Sequence, residues 1–174
     1  MDKSKESKNI NLRFTQKRVT KLAVMLIDQT FPQINVSLHP KIKVSERRKI
    51  TSSHDAYEIL KLLWDMDTIY LFEEFYVLYL DRKNGVMGYR NMNRGSNCGT
   101  VVDTKLILSI ALKISASSII LSHNHPSGNM KPSHADTTIT NKIKKGAEFL
   151  DLKMLDHLIV SPETFYSFAD EGII

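Results

Sequence analysis

Glu73-Glu74-Phe-Tyr-Val-Leu-Tyr-Leu-Asp81 is an apolar run rich in aromatic residues and too short for a helix of ordinary length, so it reads as a buried strand. Lys83-Asn84-Gly85 follows with the Asn-Gly signature of a tight turn, which predicts that Val86 to Asn91 returns as the antiparallel partner of a hairpin. Downstream, helical and strand patterns alternate. Asp103 or Thr104 can start a helix through Leu106, Ile107, Ile110, Ala111 and Ile114, and Ser118 to Leu121 is a second buried strand. Asp136 to Phe149 is again helical and Leu155 to Val160 strand-like. Helices feeding strands are the α/β signature.

Upstream, Ser53 can cap a helix whose buried stripe is Ala56, Ile59, Leu60, Leu62, Leu63 and Trp64. Val19, Leu22, Ala23, Leu26 and Ile27 fall on one face of a short helix over 14–27, and Ile34, Val36, Leu38, Ile42 and Val44 alternate as an extended lead-in. The chain thus divides into a basic, partly disordered leader and lead-in over 1–50 and one folded domain over 51–174. Residues 1–50 carry 12 Lys and Arg against 4 Asp and Glu, a balance of +8, whereas the remaining residues carry 12 against 15, a balance of −3. The leader is therefore the one place where a weak nucleic-acid contact is expected, although a basic tail is more often simply solvated. With no apolar stretch of the roughly 18 to 20 residues that a spanning helix requires, no membrane partner is expected and a cytoplasmic location is. Cys98 alone can form no internal disulfide and no thiolate cage, so a metal here must use His, Asp and Glu.

Three of the six histidines lie between 123 and 134, within Ser-His-Asn-His-Pro-Ser-Gly-Asn-Met-Lys-Pro-Ser-His-Ala-Asp, residues 122–136. Two apart at the end of an extended strand, His123 and His125 project to the same side and can converge on one ion. Asp136 can supply a third ligand. Two histidines and a carboxylate with one position left to water is the composition of a catalytic zinc site, whereas structural sites close all four positions and favour Cys. Ser133-x-x-Asp136 also has the spacing of a capping box at a helix start.

The pattern His-x-His, seven residues, Ser, two residues, Asp resembles the JAMM metalloprotease motif of the JAB/MPN domain, and His-Asn-His-Pro-Ser-Gly at 123–128 resembles the RadC-like branch in particular. The resemblance runs from about Glu73 to Ile174 through Gly99-Thr100, Ala111-Leu112-Lys113, Leu155-Asp156-His157 and Tyr166-Ser167-Phe168-Ala169. About the first 50 residues fall outside it, and no helix-hairpin-helix of the kind that precedes the domain in full-length members is recognised there. It implies a three-layer α/β sandwich around a mixed sheet, with zinc held by His123, His125 and Asp136. It further implies that Ser133 hydrogen-bonds the water or the developing oxyanion, and that a glutamate on an earlier strand is the general base. Alignment on Phe75 and Asp81 points to Glu73, with Glu74 the competing choice; on a strand the two face opposite sides, and Phe75, Val77 and Tyr79 would share the face of Glu73.

The implied reaction is hydrolysis of a peptide or isopeptide bond in a peptide or protein substrate. The alternative that the RadC family's DNA-repair label suggests is a non-catalytic DNA-associated accessory protein, which the acidic balance of the motif-bearing region disfavours. A zinc deaminase would need His-x-Glu and Cys-x-x-Cys, and the chain has neither. Among the other polar residues, His134 is expected to face solvent, Cys98 to be an ordinary loop thiol, and His157 to form a structural pair with Asp156 rather than a distal support for the site. Thr104-Lys105 stands where the family commonly has Pro-Arg, which keeps the charge but loses the planar two-pronged donor.

Overall fold

The computed structural model describes residues 38, 42–95 and 102–174. The expected helix over 14–27, the first part of the lead-in, most of the loop after Gly95, and Cys98 lie outside the described residues. Of the lead-in, Val44 does not continue an extended strand. Val44–Glu46 is one 3-10 turn, because the Glu46 carboxylate turns back to accept from the Lys43 N–H at 3.3 Å.

Five strands form one mixed sheet: β1 (Glu74–Leu80), β2 (Val86–Arg94), β3 (Ser118–Asn124), β4 (Lys153–Val160) and β5 (Phe165–Ser167). Their order is β2-β1-β3-β4-β5, with β3 and β4 parallel and every other pairing antiparallel. Three helices flank it: α1 (Ser53–Lys61), α2 (Thr104–Lys113) and α3 (His134–Phe149). Phe75, Val77, Tyr79, Ile119 and Leu121 pack on one face against Ile107, Leu108 and Ala111 of α2 and Ile143 and Ala147 of α3. On the other face Tyr76, Leu78, Leu80, Ile120 and Leu158 pack against Ala56, Tyr57 and Leu60 of α1 and against Trp64 and Ile69 beyond it. With both faces covered, every residue of β1 and β3 is buried, which is why 75–80 and 119–121 read as unbroken apolar runs rather than alternating ones. The fold is the expected α/β sandwich.

Several boundaries differ from the sequence reading for local reasons. The cap of α1 is Ser52, one residue before Ser53; its hydroxyl accepts from Asp55 N–H while the Asp55 carboxylate accepts from Ser52 N–H. That helix ends at Lys61, so Leu62, Leu63 and Trp64 lie past it, and Leu62 is exposed while Trp64 is buried. The β1–β2 turn closes around the Asp81 carboxylate, which accepts from Lys83 N–H, Gly85 N–H and the Arg47 guanidinium, with Asn84 at φ 58°. A Cβ on Gly85 would stand 2.7 Å from Asp81 Oδ2, so a side chain there would have to push aside the carboxylate that holds the turn. β3 extends to Asn124, placing His123 on the strand itself.

Candidate metal centre

The register of β1 against β3 pairs Phe75 with His123, so the two side chains share a face and their rings lie nearly parallel, 7° apart in plane, with centroids at 6.1 Å. His125 follows where β3 gives way to the loop before α3, and Ser133 caps α3 from the far end of that loop. The cap and the proposed ligand set coincide. Ser133 Oγ accepts from Asp136 N–H at 3.1 Å, and Asp136 Oδ2 accepts from Ser133 N–H at 2.6 Å. The capping box thus aims the Asp136 carboxylate at the histidines instead of competing with ligation.

Three side chains converge. His123 Nε2 and His125 Nε2 are 3.0 Å apart, His123 Nε2 is 3.4 Å from Asp136 Oδ1, and His125 Nε2 is 3.3 Å from Asp136 Oδ2. Donors bound at about 2.0 to 2.1 Å with tetrahedral angles lie about 3.3 Å from one another, so the spacing of the triad fits zinc. Three lone-pair donors at this spacing repel, and a proton or a divalent cation relieves the repulsion. Among the described residues, this is the one group of three or more His, Cys, Asp or Glu side chains placed to hold a metal ion.

The electrostatics follow from the same contacts. Burial, the largest influence on Asp136, pushes its carboxyl up, but hydrogen bonds from His123 and His125 together with the His123 charge outweigh it and hold the group far below the usual carboxylate range. The hydrogen bond to Asp136 raises His125 against the effect of burial, and the charge of Glu73 contributes in the same direction. His125 gives its other ring proton, on Nδ1, to the Asn129 main-chain carbonyl at 2.5 Å.

The two candidate bases stand at the start of β1, Glu73 the residue before the strand and Glu74 its first. Glu74 is buried on the α1 face, where Oε1 is 3.2 Å from Arg94 Nε and Oε2 is 3.4 Å from the Tyr76 hydroxyl. Glu73, partly exposed, stands two residues before Phe75 and near enough to His125 to shift it. Its backbone is bracketed by the Asn124 side chain, whose Oδ1 accepts from Glu74 N–H at 2.8 Å and whose Nδ2 donates to the Phe72 carbonyl at 2.8 Å. The same amide accepts from Trp64 Nε1 and donates to the Ile69 carbonyl. The residue between the two histidines therefore fastens the segment leading into Glu73 onto β3, a role the sequence reading missed.

His134 is exposed, as expected. His157 requires correction. Its main-chain N–H does bond Asp156 Oδ1 at 2.7 Å, but its ring lies on the opposite side, fully buried, with Nε2 at 2.8 Å from His123 Nδ1 and Nδ1 at 2.6 Å from Thr140 Oγ1. Burial, and next the charge of His123, keep the His157 ring well below its ordinary pKa. The Asp156 carboxylate instead accepts from Ser167 Oγ and Ala169 N–H, and burial raises its pKa. An isolated histidine in an apolar strand gives no sign of its partner; the parallel register that sets Leu121 beside His157 and His123 beside Ile159 puts it against the ligand strand.

The RadC-like JAB domain family model matches residues 50–173. The chain is 45% identical over 127 residues to a UPF0758 protein of Flavobacterium johnsoniae, an alignment covering 72% of this chain and 54% of that relative. It is 34% identical over 160 residues to a UPF0758 protein of Porphyromonas gingivalis, covering 91% of this chain and 65% of the relative. Against the UPF0758 protein YfjY of Escherichia coli it is 33% identical over 164 residues, covering 94% and 92% of the two chains. The chain thus spans about half to two thirds of the first two relatives and nearly all of the third. Among the described residues no helix is long and apolar enough to cross a membrane.

Proposed function

The chain belongs to the RadC-like JAB domain family, and from that premise we propose that it is a zinc-dependent hydrolase of the JAMM type that cleaves a peptide or isopeptide bond. The observation that carries the reading is the convergence of His123 Nε2, His125 Nε2 and the Asp136 carboxylate at mutual distances of 3.0 to 3.4 Å beside the loop that leads to α3. Zinc bound there supplies Lewis acidity, lowering the pKa of a water toward about 7 and polarising the scissile carbonyl. Glu73 accepts the proton of the attacking water and returns it to the departing amine. The Ser133 hydroxyl oxygen accepts from Asp136 N–H, which leaves its own proton to be donated to the oxyanion that develops on the substrate. Metal analysis tests the reading: the purified chain should hold one zinc per molecule at neutral pH. Chelation should abolish hydrolysis of a peptide or isopeptide substrate, and zinc should restore it; a chain that binds no stoichiometric metal would remove its foundation.

A second reading, contact with nucleic acid through the leader, is favoured by the +8 balance of residues 1–50. Arg13, Lys17, Arg18 and Lys21 are four cations within nine residues. Replacing them with alanine should lower the slope of log affinity against log salt by up to about 3 to 4 while leaving zinc content unchanged. A DNA affinity and salt slope unaltered by this change would place the contact elsewhere.

A further inference from the structure

The two histidines of the proposed centre are held by different kinds of partner. The Asn129 carbonyl can only accept, so an uncharged His125 ring carries its proton on Nδ1 and turns a bare Nε2 toward Asp136. His123 Nδ1 instead meets another imidazole, His157 Nε2 at 2.8 Å, and such a nitrogen can donate or accept. The ambiguity is removed two groups further on. Thr140 Oγ1 lies 2.5 Å from the Asp136 main-chain carbonyl, one helical turn back, and 2.6 Å from His157 Nδ1. A hydroxyl has one proton and the carbonyl has none, so the threonine donates to Asp136 and accepts from His157 Nδ1–H. The His157 ring is stacked on Phe168 at 4.9 Å and tilted against Phe75 at 5.5 Å, and it is fully buried, an enclosure that favours the uncharged ring. An uncharged ring protonated on Nδ1 has a bare Nε2, which accepts from His123 Nδ1–H. In the uncharged His123 ring Nε2 is then left with its lone pair facing His125 and Asp136.

We propose that His157 and Thr140 are positioning residues that hold His123 in its Nδ1-protonated, Nε2-ligating form, the polarity of the chain being set by the main-chain carbonyl of Asp136. The residue that offers the carboxylate ligand also dictates, through its backbone, the tautomer of a histidine ligand, and the first two turns of α3 assemble both. This rests on the metal-centre reading, and its consequences are read without turnover.

The test uses the full chain stripped of metal, titrated with zinc against a chromophoric chelator, and imidazole 15N spectra at mildly alkaline pH. The metal-free wild type should show His123 and His157 both protonated on Nδ1. His157→Leu should weaken zinc binding about 10- to 100-fold, whereas His157→Gln, with an amide oxygen for His123 and an amide N–H for Thr140, should recover most of that loss. Thr140→Val, which keeps shape and removes the hydroxyl, should lose part of the affinity and show His123 as a mixture of tautomers. Wild-type affinity in His157→Leu, or His123 protonated on Nε2 in the wild type, overturns the proposal. Should His157→Leu fail to fold, the Thr140→Val titration and the wild-type spectrum decide. A wild type that binds no zinc would remove the hydrolase reading, and the relay would still stand or fall on its 15N spectrum.

Discussion

Zinc content should fall from one ion per chain to near zero in His123→Ala, His125→Ala and Asp136→Ala, with hydrolysis lost in step, because each change removes one of three donors that leave only a single open position. The three variants should differ in what they do to the fold. His123 is 2% exposed, and its loss strands the bare His157 nitrogen, a cost of about 1 to 3 kcal/mol beyond the cavity it leaves. Asp136→Ala also removes the acceptor for Ser133 N–H, about 1 kcal/mol. Asp136→Asn keeps an amide oxygen for the cap but not the charge, so it should melt near the wild type and still bind zinc poorly. Ser133→Ala should retain zinc, losing about 1 kcal/mol of helix capping and roughly 3 kcal/mol of transition-state stabilisation. Zinc bound at full stoichiometry by Asp136→Ala would show that the carboxylate serves the helix and not a metal.

The pH dependence of this centre has a definite sign. His125 is raised above 6.5 mainly by its hydrogen bond to Asp136, so that bond stabilises the metal-free chain below pH 6.5 and the contribution is lost as pH climbs through the folded-state pKa. Zinc needs the same nitrogen unprotonated, so its affinity should rise over that same interval. Metal-free and zinc-loaded melting curves should therefore diverge as pH rises above about 6.5; parallel curves would mean that zinc does not displace the His125 proton.

Sequence reasoning succeeded where one residue's neighbours are close in the chain. The meeting of two histidines and a carboxylate was legible because His123 and His125 lie at one strand end, and because Ser133 and Asp136 are three apart at a helix start. β1 was legible because, past Glu74, its residues are buried on both faces and apolar over 75–80. What stayed hidden depends on register across the sheet. Thr140 is an ordinary helix residue until α3 packs over β4, and His157 next to Asp156 in sequence invites a local pair that strand alternation sends to opposite faces. Asn124 reads as a spacer between two histidines, yet its amide makes four hydrogen bonds to a segment 50 to 60 residues earlier. The cap at Ser52 shows the opposite limit: neighbouring serines are equally good caps by type, and only the reach of Asp55 selects between them.

Glu73→Gln should leave zinc bound and the fold intact while lowering turnover by about a hundredfold to ten-thousandfold, because a general base touches the water and not the metal, and glutamine keeps the shape without the proton acceptor. The comparison with Glu74→Gln makes the prediction specific. Glu74 is 7% exposed and faces the α1 layer, paired with Arg94 at 3.2 Å, while that guanidinium lies 4.3 Å over the Phe72 ring. Neutralising it weakens an ion pair whose arginine is 49% exposed, so the loss of stability should be no more than about 1 kcal/mol. Turnover should scarcely change, since the Glu73 backbone stays bracketed by Asn124 whichever side chain occupies position 74. Zinc content, melting temperature and kcat measured on both variants, with a substrate that the wild type cleaves, separate the roles. If Glu74→Gln abolishes turnover and Glu73→Gln does not, the carboxylate serving the water lies on the opposite face of β1 from the histidines' partner Phe75, and the proposed geometry of attack is wrong.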